Sequence, residues 1–472
     1  MIARSLKGHA LQCGAAVLIA APLAAPLPLA HAQTRDGVHK GVFNPKTFTL
    51  ENGLQVVITT NRRAPVALHM LWYKTGAIDE PAGKSGIAHF LEHLLFKSTR
   101  TLKVGEFSRI VSANGGRENA FTSWDYTGYY QFVAKDRLPR MMEIEADRMA
   151  NLVLANQEVL RERQVILEER RSRIETRPES ILWEQARRAL FLNHRYGRPI
   201  IGWMHEMEKL SRQDALDFYK RYYGPNNAVL VVAGDVNVDE VRRLAEKYYG
   251  PIKRIAVPPR KVLREPPQRV ERRVVYRDAR VRRPSFGRLY YAPSYNVGAT
   301  QYAYALQVLT RLLGSSSTSL LYQKLVVRQK LATSAGGGYS ATRRGPSHFY
   351  IFASPQLGVS IEKLEKAIDV EIARIVEEGV RKADVEAAKR QLQDLAIFAR
   401  DSIRSGANAI ATSLMIGRTA NDVEEWPTRI GKITVEQVNS AARHVLQRQK
   451  SVTAVLLPLR ADITTKGEAS QK

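Results

Sequence analysis

Cysteine is almost absent from this sequence. Its 472 residues include a single cysteine, Cys13. One thiol excludes a disulfide-stapled scaffold, and it also excludes a zinc site built on thiolates.

Acidic residues are few relative to basic ones. Lys and Arg total 72 and Asp and Glu total 46, which gives a net charge of +26 and a pI near 10.1. Such an excess suggests nucleic acid or an anionic membrane as a partner. Hydrophobic residues make up 44% of the chain, enough to bury a core, so the composition argues against disorder over most of its length.

Long apolar runs are missing except near the start. Residues 1–32 contain Arg4 and Lys7, an apolar run from about Ala15, and an A-x-A pattern that ends at Ala32. This order is typical of a secretory signal peptide, and cleavage is expected after Ala32. An N-terminal anchor is the alternative, although prolines interrupt the run. The predicted mature chain has a net charge of +24 and no cysteine. The absence of a free thiol suits an oxidising compartment. We therefore expect a periplasmic or secreted protein without a transmembrane segment, a location that weakens the nucleic-acid interpretation.

The remaining sequence predicts mixed strands and helices. An Asn52-Gly53 pair between β-prone segments indicates a hairpin. Residues 85–97 are typical of a helix with Ser85 as its N-cap. Two further helices are expected at about 138–154 and 158–175. Because strands and helices do not alternate strictly, the fold class is α+β.

Two halves of the chain resemble each other. Residues 87–96 and 305–314 share an apolar pattern, and so do 129–133 and 349–353. Between the halves lies a proline-containing stretch with 12 basic residues and 3 acidic ones. The predicted organisation is a signal peptide at 1–32, a catalytic zinc-binding domain at 33–252, a basic linker at 253–283, and a homologous domain without metal ligands at 284–472.

The sequence His89-Phe90-Leu91-Glu92-His93 is the strongest chemical signal. On a helix, His89 and His93 are one turn apart on one face and can bind a single metal ion. Neutral imidazole suits zinc, and a catalytic zinc has three protein ligands and an open water position. Glu92 lies beside that face, where a carboxylate can take a proton from the water. The pattern H-x-x-E-H is the inverse of H-E-x-x-H.

A third ligand is needed, and a downstream helical segment offers three glutamates. Glu162 and Glu169 are seven residues apart and share a face, whereas Glu168 points about 100° away. Glu169 can ligate the metal while Glu162, one layer further from it, accepts a hydrogen bond from a histidine or positions the Glu92 carboxylate. Spacing alone does not choose among the three.

Together these two motifs resemble the pitrilysin/insulinase-type inverzincin metallopeptidases. The size is most similar to mitochondrial processing peptidase subunits and their small bacterial relatives. The resemblance implies one Zn²⁺ per chain, with His89, His93 and Glu169 as ligands, Glu92 as general base and Glu162 as an outer partner. It also implies two tandem homologous domains, each a sheet with helices, that face each other across a peptide-binding chamber.

A second segment, residues 115–122, resembles the family's substrate-pairing strand. An exposed edge strand can add an extended peptide through backbone hydrogen bonds. Asn119 and Ala120 are expected nearest the scissile bond. The alternative is a plain hairpin with a Gly-Gly turn.

The second half departs from the family pattern. Gln307, Thr310 and Arg311 stand where the first half has His89, Glu92 and His93. The resemblance also implies an Arg and a Tyr from the second half that hold the substrate carbonyl, and Val326 and Thr333 occupy those positions. We hypothesise that a related partner subunit, or a second copy, supplies this clamp. The alternative is a single-chain enzyme that uses Arg328 or Tyr339.

The leading hypothesis is a secreted or periplasmic zinc endopeptidase of extended peptides, acting through Zn-activated water as the catalytic subunit of a heterodimer. A non-catalytic scaffold of the same fold is the alternative. A polyanion-binding protein is disfavoured, because the densest basic run is broken by prolines and lacks interleaved aromatics. We therefore expect no nucleic-acid partner.

Overall fold

The computed structural model describes residues 41–260, 263–314 and 316–459. The predicted signal peptide lies outside these residues. The strands are β1 Lys46–Thr49, β2 Gln55–Thr60, β3 Val66–Tyr73, β4 Ser98–Thr99, β5 Arg117–Thr122, β6 Thr127–Ala134, β7 Leu152–Val153, β8 Ala228–Gly234, β9 Arg272–Asp278, β10 Ser285–Ala292, β11 Ala332–Tyr339, β12 Ser347–Pro355 and β13 Ser451–Pro458.

The α-helices are α1 Ile87–Leu94, α2 Glu106–Ala113, α3 Leu138–Ala150, α4 Asn156–Arg170, α5 Pro178–Leu190, α6 Met204–Met207, α7 Arg212–Tyr222, α8 Val238–Tyr248, α9 Ala303–Gly314, α10 Ile361–Glu377, α11 Lys382–Ala399, α12 Ile403–Met415, α13 Ala420–Glu424, α14 Trp426–Gly431 and α15 Val435–Val445. A π-helical turn, Arg171–Glu175, continues α4. Within the described ranges, no helix has both the length and the apolar character that a membrane span requires.

Two large sheets share one topology, which confirms the predicted α+β duplication. The first has the order β1-β2-β8-β3-β6-β5 and the second the order β11-β12-β10-β13-β9. In each, an antiparallel hairpin forms one edge, β5 with β6 or β11 with β12. The only parallel pairs in these two sheets, as far as the chain is described, are β2 with β8 and β9 with β13, at equivalent places. Helix α9 follows β10 as α1 follows β3, so the two similar apolar segments are equivalent elements.

The central strands of the first sheet, β2, β3 and β8, are buried on both faces. Alternate residues of β2, β3 and β8 pack in the core that contains α1 and α7. The residues between them pack against Ala407, Ile410, Ala411 and Leu414 of α12, a helix of the second half.

The second sheet is covered in a corresponding way by a helix of the first half. One face packs with α9, α10 and α15. Leu289 and β13 residues on the other face pack with Leu182, Ala186 and Leu190 of α5. Each half therefore contributes a helix to the core of the other.

The structure differs from the sequence predictions in three local respects. Residues 253–283 are not a linker throughout, because β9 pairs with β13 inside that range. The helix predicted at 85–97 spans Ile87–Leu94, and Gly86 rather than Ser85 is its N-cap. Ser85 instead accepts a hydrogen bond from the backbone N–H of Trp203 through its hydroxyl oxygen. The helices predicted at 138–154 and 158–175 are α3 and α4 with its π-helical turn.

Candidate metal centre

Helix α1 begins at a tightly constrained backbone turn. Its N-cap, Gly86, has φ +88°, a left-handed conformation that glycine adopts without strain. The buried carboxylate of Glu80 accepts hydrogen bonds from the N–H groups of Gly86 and Ala88, at 3.0 and 3.1 Å. These contacts satisfy donors at the helix N-terminus that otherwise lack partners. The helix that carries both histidines is therefore fixed at its start.

Three ligand atoms converge beside α1. One atom each from His89, His93 and Glu169 lie within 4.8 Å of one another. Oε2 of Glu169 is 3.6 Å from Nε2 of His89 and 3.3 Å from Nε2 of His93. Among the described residues, no other set of three His, Cys, Asp or Glu side chains converges in this way.

The remaining glutamates of α4 have different surroundings. Oε1 of Glu162 is 2.8 Å from Nδ1 of His93, and its other oxygen is 2.5 Å from the ammonium of Lys97. The side chain of Glu168 is 71% exposed and pairs with Arg171. The structure thus brings Glu169 to the histidines and Glu162 behind His93, while Glu168 points away from them.

The pKa values of the two histidines move in opposite directions. Burial, with the neighbouring His93, lowers the pKa of His89 to about 4, so this imidazole is neutral. Burial alone would also lower the pKa of His93, but hydrogen bonds to Glu162 and Glu169 outweigh it and raise the pKa to about 9. The pKa of Glu169 is lowered, first by its hydrogen bond with His93. The carboxylates therefore create a site that favours positive charge.

The donor set fits a zinc ion. Two imidazoles and one carboxylate are a known ligand set for catalytic zinc, and three protein ligands leave a fourth position open. The hydrogen bond from His93 Nδ1 to Glu162 is the outer contact that orients a ligating imidazole. Nδ1 of His89 is buried and has no such partner among the described residues.

Glu92 faces the same cavity and is held by one neighbour. Its carboxylate accepts a hydrogen bond of 2.5 Å from the hydroxyl of Thr122, in β5. Burial raises its pKa, and the hydrogen bond from Thr122 opposes that shift. A raised pKa brings a carboxyl group closer to the range in which it can both accept and return a proton near neutral pH.

A cavity of about 1340 Å³ contains these residues and an edge strand. Asn119 and Ala120 line it together with His89, Glu92, His93 and Glu169. They belong to β5, which is paired on one side with β6 and ends the first sheet. The predicted substrate strand is therefore a sheet edge beside the candidate metal centre.

The second half does not repeat this chemistry. On α9, the amide of Gln307 donates a hydrogen bond to the hydroxyl of Tyr295 and accepts one from the indole of Trp426. The hydroxyl of Thr310 donates to the carbonyl of Leu306. Arg311 donates to the side chain of Gln391. The positions equivalent to the motif are thus filled by groups that support local packing.

The two alternative clamp residues are not found in the cavity wall. The hydroxyl of Tyr339 donates to the carbonyl of Pro293 at 2.7 Å. Arg328 is exposed at the end of a π-helical turn, Tyr322–Arg328. All the residues that line the cavity lie between His89 and Ile201, in the first half.

Sequence reasoning missed several residues of the site. Lys97 is four residues after His93, a spacing that could have suggested its contact with Glu162. Arg173, which pairs with Glu169 at 2.8 Å, is likewise four residues after its partner. No sequence signal pointed to Thr122 as the partner of Glu92, since these two residues meet only through the packing of α1 against β5.

Comparison with known proteins gives matches in both halves. Residues 55–203 match the model described as Insulinase (Peptidase family M16), and residues 209–392 match that described as Peptidase M16 inactive domain. Zinc protease PqqE of Helicobacter pylori is 32% identical over 437 residues, which are 91% of this chain and 95% of that protein.

Solved structures agree with this relationship. The crystal structure of a protease from Helicobacter pylori has a TM-score of 0.83 and 30% identity, covering 88% of this chain and all of that one. The first half of the periplasmic protease PqqL from Escherichia coli has a TM-score of 0.75 at 21% identity, covering 88% of this chain and 92% of that chain, and shows the shared fold. From the sequence identity, the coverage and the fold together, the chain belongs to the insulinase family of peptidases, M16.

Proposed function

We propose that this chain is a zinc-dependent endopeptidase of extended peptides. The observation that carries the proposal is the convergence of His89, His93 and Glu169 within 4.8 Å, in a cavity that Glu92 and the edge strand β5 also line. The relatives' names as zinc proteases support the same metal.

Each residue of the site has a defined part in this proposal. When bound, Zn²⁺ would polarise the peptide carbonyl and make a water molecule more acidic. Glu92 takes the proton from that water and delivers it to the leaving amine. Thr122 holds one oxygen of Glu92, so the other oxygen is free to face the substrate.

The edge of β5 supplies a place for the peptide. Its backbone groups on the side away from β6 can pair with an extended chain, which then lies along the cavity. Asn119 and Ala120 are the residues of β5 that we assign to this pairing. Backbone pairing has little sequence preference, so side-chain selectivity must come from the other cavity walls.

Replacing Glu92 tests the catalytic part. We expect Glu92→Gln to keep zinc and to lower peptide cleavage by about 10²-fold or more, because positioned acid–base groups contribute 10²–10⁴. Glu179→Gln, a change of the same type at an exposed residue that does not line the cavity, is the control and should retain full activity. Peptide hydrolysis at the native rate by a zinc-loaded Glu92→Gln protein would contradict the assignment.

We further propose export to the periplasm or medium and action with a partner subunit. The arrangement of residues 1–32 supports export, and cleavage after Ala32 would be seen by mass spectrometry of the secreted chain. The partner is supported by the engaged hydroxyl of Tyr339 and by the exposed position of Arg328, which leave the described cavity without an Arg/Tyr clamp. Full peptidase activity of the purified monomer would remove the need for a partner.

A non-catalytic scaffold is the second candidate. It is favoured by one observation, the match of residues 209–392 to the inactive domain of the family. That match begins after the three candidate metal ligands, so it does not bear on α1. Zinc analysis separates the candidates, because the enzyme requires one Zn²⁺ per chain and a scaffold requires none.

A further inference from the structure

Helix α5 forms a wall between the cavity and the second sheet. Ser180, Trp183 and Arg187, which share one face of the helix, line the cavity. Leu182, Ala186 and Leu190 of the same helix are packed in the core with β13, and Trp183 packs partly against that core. The cavity-facing side chains of α5 are therefore carried on a firmly packed element.

Arg187 has no ion-pair partner among the described residues. Its Nε is buried, and no hydrogen-bond partner for that atom is found in this part of the chain. Glu184, one turn away, is occupied by two hydrogen bonds from Arg170, at 2.9 and 3.1 Å. Arg187 as a whole is half-buried, and a guanidinium whose Nε is shut off from water is normally paired, because withdrawing an uncompensated charge from water is costly.

A second guanidinium, that of Arg343, lies against Trp124, the aromatic ring that Arg187 also contacts. Arg343 comes from the loop between β11 and β12, in the second half. The guanidinium carbons of Arg187 and Arg343 are 4.9 and 4.8 Å from the ring centroid of Trp124, which itself lines the cavity. Arg343 forms no ion pair within the described ranges.

The positive charges of the two arginines lower the pKa values of basic groups around them. Burial and then the charge of Arg343 lower the pKa of Arg187 to about 10. Burial, Arg187 and Arg343 lower the pKa of His348, on β12, to about 3. Two guanidinium groups thus lie beside the cavity, and Glu184, an acid whose charge acts on Arg187, is already paired with Arg170.

We propose that Arg187, with Arg343 beside it against Trp124, forms a subsite that binds a carboxylate of the peptide substrate. The planar guanidinium fork matches a carboxylate with two parallel hydrogen bonds, and Arg187 lines the cavity in which such a carboxylate would lie. The location, in the cavity that also contains Asn119 and Ala120, makes a peptide the source of that carboxylate. This inference rests on the proposed peptidase function and adds a preference for acidic substrates.

Matched peptides test the proposal with the zinc-loaded protein. The first comparison uses internally quenched peptides that differ only by Glu or Gln, with the substitution moved to successive positions. The second comparison uses one peptide with a free C-terminal carboxylate or a C-terminal amide. We expect kcat/KM about tenfold or more higher for the acid in at least one comparison, mainly through KM, as for a hydrogen bond to a charged group. A preference in the first comparison identifies a side-chain carboxylate, and one in the second comparison identifies the C-terminus. Equal cleavage of acid and neutral peptides overturns the subsite.

Three variants assign the preference to Arg187. Arg187→Gln should abolish it, Arg187→Lys should retain part of it, and Arg187→Glu should favour a Lys peptide over a Glu peptide. Arg390→Gln, which removes an exposed arginine on α11, is the charge-matched control and should leave the preference intact. An unchanged preference in folded Arg187→Gln would also overturn the proposal.

Thermal unfolding and binding supply independent measurements. Because Arg187→Gln removes a half-buried charge that has no ion pair among the described residues, its melting temperature should equal or exceed that of the native protein. Peptide binding to zinc-loaded Glu92→Gln, followed through tryptophan fluorescence, reads the subsite without cleavage. Acid-selective binding without cleavage by the native chain would reject the peptidase function and keep the subsite, whereas cleavage without acid selectivity would do the reverse.

Discussion

Three glutamates of one helix, α4, differ in what their carboxylates contact. Glu169 reaches both histidines, Glu162 holds His93 and Lys97, and Glu168 points into solvent. The sequence predicted a shared face for the first two, because residues seven apart lie two turns along one side of a helix. The choice of Glu169 as the inner residue depends on how α4 docks beside α1, which spacing does not encode.

At the residue scale, Glu162 should tune metal affinity without binding the metal. We expect Glu162→Gln to weaken zinc binding about 10- to 100-fold, as loss of an outer partner of a ligating histidine typically does. Competition with a chromophoric chelator measures the affinity. The same substitution at Glu168 should leave zinc affinity unchanged, and an equal loss in both variants would contradict the specific role of Glu162.

At the element scale, α1 depends on the turn that precedes it. A Cβ at Gly86 would lie 2.6 Å from the carbonyl oxygen of Ile201. A Cβ at Gly202 would lie 2.7 Å from the Cα of Gly86. Both glycines permit the contact because neither has a side chain. The position of the two histidines is therefore set partly by the packing of two backbone segments that are far apart in sequence.

Substitution of this turn should affect both stability and zinc binding. Gly86→Ala combines a left-handed conformation, costing about 1–2 kcal/mol, with a backbone clash. Gly83→Ala also has a positive φ, +75°, but its Cβ would meet open space. We expect the Gly86 variant to lose clearly more unfolding free energy than the Gly83 variant in denaturant titrations, and to bind zinc more weakly. Equal losses would show that the clash is relieved.

At the scale of the whole molecule, each half packs one helix against the sheet of the other half, an arrangement that we call the helix exchange. Helix α12 of the second half covers one face of the first sheet, and α5 of the first half covers one face of the second. Neither predicted domain, 33–252 nor 284–472, therefore contains all of its own core. The same arrangement gives the cavity a wall, α5, whose position is fixed by the second half.

This exchange predicts cooperative unfolding of the two halves. Ile410 of α12 is fully buried against the first sheet, so Ile410→Ala should cost about 2–5 kcal/mol. Ile397 of α11 is 56% exposed, and Ile397→Ala is the control. We expect a single transition, by circular dichroism and by zinc release together, that shifts only in the Ile410 variant. Two separate transitions would show that each half is stable alone.

The sequence alone determined the features that depend on local periodicity. The shared face of the two histidines and of the two glutamates follows from the period of a helix. The hairpin at Asn52-Gly53 follows from the turn preference of that pair. These were enough to predict the fold class, the pair of histidines and the shared face of Glu162 and Glu169, while the choice of Glu169 as the third ligand came from the family resemblance.

Only the tertiary structure decided contacts between distant segments. Thr122 donates to Glu92, and Gly86 lies against Gly202, although neither pair has a periodic relation in the sequence. The same is true of α12 against the first sheet, and of Arg187 and Arg343 against Trp124. Such contacts are set by how packed faces dock, and a buried charge is recognisable as unpaired only when all its neighbours are in place. The charge of +26 illustrates this limit, because the total indicated an anionic partner while the fold located two of those charges beside the cavity.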